Sequence, residues 1–123
     1  MYTLGHLTAV PKNTVAKLGD GVELECITNA IIPVRWEFSI SGSQNKTFIY
    51  HSGVITHRLR DKYVMDNSRT GRYNLVMNSV DLSLGGTYTC SDTPSSQSDQ
   101  QSTRLSGSAD LILIGILCTV HLS

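Results

Sequence analysis

Three cysteines, four histidines and one Asn-x-Thr triplet are the residues from which this chain could build covalent or metal chemistry. Cys26, Cys90 and Cys118 leave one thiol over once any two have paired, and an odd cysteine points to a free thiol or an intermolecular bridge. His6, His51, His57 and His121 are scattered, without the i, i+4 or Cys/His spacing of a metal site. They read as strand and loop histidines, so neither metal nor cofactor is expected. Serines are abundant, yet none stands in Gly-x-Ser-x-Gly, and no glycine-rich loop precedes a helical pattern. The carboxylates fall on strand surfaces. An enzyme is not expected. Asn45-Lys46-Thr47 is an N-glycosylation sequon in an expected surface turn.

The elements that must hold these residues are strands. With 123 residues the chain is one domain, long enough to bury roughly two thirds of its unfolded surface. Ten basic residues balance ten acidic ones, so neither nucleic acid nor an anionic membrane surface is an expected partner. His6 to Lys17 reads as an edge strand interrupted at Pro11, since proline cannot donate to a ladder and sits at an edge or at a switch between sheets. Val22-Glu23-Leu24-Glu25-Cys26 alternates apolar and charged residues with the period of a half-buried strand. Val34 to Ile40 does the same, with Trp36 and Phe38 inward and Arg35, Glu37 and Ser39 outward. Further strands are expected over Lys46–Tyr50, from Val54, over Lys62–Asp66 and Arg72–Met77, and over Ala109–Ile114. Between Cys90 and that final strand, Ser91 to Ser106 is a polar loop rich in Ser, Gln and Asp.

The stretch Asp81-Leu82-Ser83-Leu84-Gly85-Gly86-Thr87-Tyr88-Thr89-Cys90 ends in Tyr-x-Cys after a glycine corner, and Cys26 and Trp36 precede it at suitable spacing. This set resembles the signature of an immunoglobulin sandwich. The run Lys46-Thr47-Phe48-Ile49-Tyr50-His51-Ser52-Gly53 resembles strand C′ of antibody light-chain and T-cell-receptor variable domains, where Leu-Ile-Tyr is usual. The 90 − 26 = 64 positions between the cysteines leave room for strands C′ and C″, as in the nine-strand variable type. The resemblance implies an all-β, Greek-key V-type sandwich of two antiparallel sheets over residues 1–114. It also implies an inter-sheet Cys26–Cys90 disulfide worth roughly 4 kcal/mol on a chain-entropy model, with Trp36 and Tyr88 in the core. A bridge of this kind implies an oxidising compartment. Met1-Tyr2-Thr3-Leu4 lacks the basic start and apolar run of a secretory leader, so a leader already removed is expected.

Two departures stand out. Leu84 and Lys62 occupy the places of an Asp–Arg pair usual in variable domains, so that salt bridge is expected to be absent, a loss of about 0–1 kcal/mol at a surface. Strand G carries only Gly107 in place of a Phe-Gly-x-Gly bulge, so antibody-like pairing does not carry over. The chain thus resembles a germline-encoded V-type domain outside the rearranging receptors, of a kind expected in an invertebrate chordate.

By that resemblance the partner-binding surface is the G-F-C-C′ face, with Arg35, Glu37, Ser39, Thr47, Tyr50 and Thr89 on it. The F–G loop, including Ser91, Asp92, Thr93, Pro94 and Asp99, corresponds to the third hypervariable loop. The function implied is an immune-type or adhesion receptor domain at the cell surface, binding a protein or pairing as a homodimer. The alternative is a secreted pattern-recognition domain whose loops bind carbohydrate or microbial surfaces. Residues 115–123 are expected to be an apolar stalk or the start of a membrane-proximal segment, with attachment after residue 123. There Cys118 is either an unpaired thiol or a bridge between two copies.

Overall fold

Pro11 divides the first extended run between two sheets. The computed structural model describes residues 7–29, 34–40, 43–91 and 106–114. Before the proline lies β1 (Leu7–Ala9) and after it β2 (Thr14–Lys17). Then follow β3 (Val22–Leu24), β4 (Ile27–Thr28), β5 (Arg35–Ser39), β6 (Thr47–His51) and β7 (Val54–Ile55). The chain continues through β8 (Val64–Asp66), β9 (Asn74–Met77), β10 (Gly86–Ser91) and β11 (Ser106–Ile114). Two short 3₁₀ turns, His57–Leu59 and Leu82–Leu84, join strands.

Six strands form the front sheet in the order β2-β11-β10-β5-β6-β7. The back layer is β3-β9-β8 together with the β1-β4 pair, joined by a bridge between Ile27 and Arg72. The eleven described segments reduce to nine strands once the runs broken at Pro11 and at Glu25-Cys26 are each counted once. One expectation changes: β2 pairs with β11 in parallel, so the front sheet is not wholly antiparallel. Strand G also begins at Ser106 rather than Ala109, because β11 pairs with β10 in unbroken register from Ser106 opposite Ser91 to Leu111 opposite Gly86.

The break in the Val22–Thr28 run is filled by a side chain. The Asn74 amide accepts the Cys26 N–H at 3.0 Å and donates to the Glu23 carboxylate at 2.7 Å, supplying the partners that a regular ladder would. Between the layers Trp36, Tyr88, Leu24, Ile49, Leu75, Met77, Val34 and Val80 are fully buried around the Cys26–Cys90 disulfide. The indole N–H of Trp36 donates to the Tyr73 carbonyl at 2.8 Å, so burying that ring strands no donor.

The expected segment 115–123 with Cys118, and the loop residues Asp92, Thr93, Pro94 and Asp99, lie outside the described residues. Among the described residues no helix is long and apolar enough to cross a membrane.

Candidate recognition face

Strand β10 presents two unlike sides, and its corner fixes which is which. Asp81 starts the 3₁₀ turn, its carboxylate accepting the Ser83 N–H at 2.8 Å and the Ser83 hydroxyl. Those two bonds, the hydroxyl's first, hold the Asp81 carboxyl below the usual range, and Lys62 adds to the effect. Lys62 Nζ lies 3.6 Å from Asp81. The expected loss of a salt bridge here is therefore half true. Leu84 cannot pair, but Lys62 finds the acid three residues upstream.

Under this turn the Tyr88 hydroxyl donates to the Leu84 carbonyl at 2.7 Å, and the Tyr63 hydroxyl meets Tyr88's at 2.9 Å. Burial pushes the Tyr63 hydroxyl up to about 12 and raises Tyr88's further. Gly86 has φ +155°, and a Cβ there would meet the Ser39 carbonyl and the Phe38 ring, so the corner admits only glycine.

The inward side of β10 is thus committed to the core. The outward side opens onto the front sheet. Thr87 donates to the Asp110 carboxylate at 2.7 Å, and the Thr89 and Ser108 hydroxyls are 2.8 Å apart, a polar ladder between β10 and β11 that satisfies itself. Ser91, expected at the start of the F–G loop, instead ends β10 and is buried. It stands opposite both Arg35 and Ser106 and is covered between neighbouring strands.

The β5-β6 half of the face is different. Glu37 lies between Arg35 (3.5 Å) and Lys46 (3.7 Å), and the Arg35 guanidinium stands 5.9 Å over the Phe48 ring. Phe48 also tilts against His51, 5.3 Å between ring centres, and is 46 % exposed. The buried Arg35 Nε has no hydrogen-bond partner among the described residues.

Here the structure corrects two expectations. Between Trp36 and Glu37 the pairing with β6 slips by one residue: Trp36 faces Tyr50, but Glu37 faces Phe48. This bulge turns both Ile49 and Tyr50 inward. Tyr50 is therefore a core residue, 6.0 Å from the Tyr73 ring, with burial and Tyr73 raising its hydroxyl pKa. Thr47, opposite Phe38, shares the inner side rather than the outer one. Phe48 holds the place expected for Tyr50. The sequence carried a sign of this: Phe48-Ile49-Tyr50 places three large apolar residues in a row, which strict alternation cannot put on one side.

The remaining expected positions Arg35, Glu37, Ser39 and Thr89 do share the outer face, each partly exposed. Asn45 is exposed in the turn before β6. Among the described residues no group of three His, Cys, Asp or Glu could hold a metal.

A disulfide-pinned, two-layer sandwich with a tyrosine corner and a nine-strand count is the architecture of a variable-type immunoglobulin domain. The Immunoglobulin V-set domain model matches residues 9–107. The chain belongs to that family. A comparison with curated protein sequences finds no match. Among solved structures, the chain is similar to the RIG-5 IG1 domain in its homodimer crystal structure, with TM-score 0.69 and 16 % identity over 91 % of this chain and 99 % of that one. Murine CRIg is similar with TM-score 0.67 and 16 % identity, again over 91 % and 99 %. Dpr1 IG1 bound to DIP-eta IG1 gives TM-score 0.63 and 18 % identity over 89 % and 95 %. At these identities the likeness is one of fold.

Proposed function

We propose that this chain is an extracellular recognition domain that binds a protein partner, in the first instance a second copy of itself, through the β11-β10-β5-β6 face. Phe48 carries the reading. A half-exposed aromatic ring, flanked by the Arg35–Glu37–Lys46 cluster, stands on a face that otherwise carries hydroxyls, the Asp110 carboxylate and the exposed Ile112. Aromatic and arginine side chains are the groups that most often anchor interfaces. The Arg35 side chain, 27 % exposed and held to Glu37 at 3.5 Å, keeps guanidinium surface that a partner carboxylate could engage. The fold neighbours RIG-5 IG1, a homodimer, and Dpr1 IG1, bound to DIP-eta IG1, are domains of this shape in pairs. The disulfide supports an oxidising, extracellular setting. A cell-surface immune or adhesion role, with membrane attachment beyond residue 123, accords with that setting.

Sedimentation velocity over a rising concentration series tests the proposal. The expected result is a monomer–dimer equilibrium weakened at least tenfold by Phe48→Ala and by Glu37→Arg. Val64→Ser, on an exposed position of β8 in the opposite layer, leaves it unchanged. A monomer at every concentration, or a dimer indifferent to both face variants, overturns it.

A further inference from the structure

We propose that Asn45 carries an N-linked glycan, which covers the end of the hairpin between β5 and β6. Of all the asparagines in the chain, only Asn45 is followed by any residue but proline and then Ser or Thr. The fold sets this one triplet where a glycan can be carried. Ser43, Gln44, Asn45 and Lys46 are all exposed and lie outside any strand. The Ser43 N–H donates to the Ile40 carbonyl at 2.8 Å, and the Asn45 N–H donates to the Ser43 hydroxyl at 3.1 Å. The turn backbone is thereby held without use of the Asn45 carboxamide.

Ile40, in the same turn, is 64 % exposed, an apolar surface that the proximal sugar can cover. The Cys26–Cys90 bridge adds an independent indication, because disulfides form in the compartment where N-glycans are attached. In the transfer, Asn45 Nδ2 bonds to the anomeric carbon of an oligosaccharide borne on a lipid diphosphate. The bond from that carbon to the diphosphate oxygen breaks, the lipid diphosphate leaves, and one amide proton passes to a base of the transferase. No oxidation or reduction is involved.

The glycan then stands next to Lys46, which pairs with Glu37, at the hairpin end of the outer face. The site rests on the extracellular setting proposed above, and the experiment separates the two. The chain is secreted from a eukaryotic cell line behind a cleavable leader, and its intact mass is taken before and after peptide N-glycosidase in heavy-oxygen water. The expected outcome is a glycan mass lost on digestion, with the label at position 45. That mass should be absent from Asn45→Gln and Thr47→Ala and retained in Thr47→Ser. A secreted chain with the Cys26–Cys90 bridge formed but of unmodified mass overturns the site and leaves the extracellular reading standing. A glycan mass that persists in Asn45→Gln overturns it as well.

Discussion

At the Tyr88 corner and at the Phe48 end of the same front sheet, an aromatic ring stands near a charged pair. At the corner, Tyr88 and Tyr63 share one hydrogen bond, the Leu84 carbonyl takes another, and Asp81 is engaged by Ser83 as well as by Lys62. At the other place, Phe48 is half exposed and the Arg35–Glu37–Lys46 cluster is held by long pairs of 3.5 and 3.7 Å. The residue types are alike and the roles differ, because one set is buried with its hydrogen bonds made inside the core, whereas the other, though paired within itself, keeps ring and charge at the surface. Side chains of the first kind stabilise the domain. Those of the second kind are free to meet something else.

The contrast can be tested from the core outward. Replacing Cys26 and Cys90 together by Ala should have the largest effect, lowering unfolding free energy by about 2–5 kcal/mol in urea titration, with no requirement at the outer face. Tyr88→Phe should cost about 1–3 kcal/mol, because it leaves the buried Leu84 carbonyl without its donor. Phe48→Ala should cost about 1 kcal/mol or less, while weakening self-association. If Phe48→Ala destabilised the monomer as much as Tyr88→Phe, the distinction between the two regions would collapse.

Alkaline pH sharpens the corner's side of the comparison. The Tyr63 hydroxyl titrates near 12 in the folded chain and near its ordinary value of 10 when unfolded. Its contribution is therefore complete below pH 10 and disappears as pH rises toward 12. Melting temperature followed over that window should fall, and Tyr63→Phe should flatten the fall. The smallest effect is expected at acid pH. Asp81 is held below the carboxylate range by Ser83, so its contribution is present at neutral pH and fades as pH drops through that lowered value. Ser83→Ala should reduce the acid slope slightly in the same measurement.

Most of the scaffold could be read from the sequence, because alternation, Pro11 and the Cys…Trp…Tyr-x-Cys order each act locally and leave a local trace. The strands around Leu24, Trp36, Leu75 and Tyr88 follow from period-two burial. The site was less legible, for reasons that are also physical. A one-residue slip between Trp36 and Glu37 moves Tyr50 from the face to the core and brings Phe48 outward, and such a slip is set by packing across the sheet. The Lys62–Asp81 pair escaped because it joins residues from separate elements, at a position that the family pattern does not mark. Ser91 was assigned to the loop because it opens the polar stretch after Cys90, a sign that cannot register its pairing with Arg35 and Ser106 at the sheet's end.

The crossing of the N-terminal run at Pro11 has one more effect. By laying β2 along Leu111–Ile114, by placing Asn13 Oδ1 2.9 Å from the Asp110 N–H, and by packing Val10 where any Gly107 side chain would lie, it occupies the backbone donors along that flank of β11. The opposite flank ends in β7, only two residues long. The front sheet is therefore bounded by two short edges, β2 of four residues and β7 of two, and short edges give a foreign strand little to add to, which guards the domain against fibre-like growth. A partner excluded from strand addition must meet this molecule through side chains.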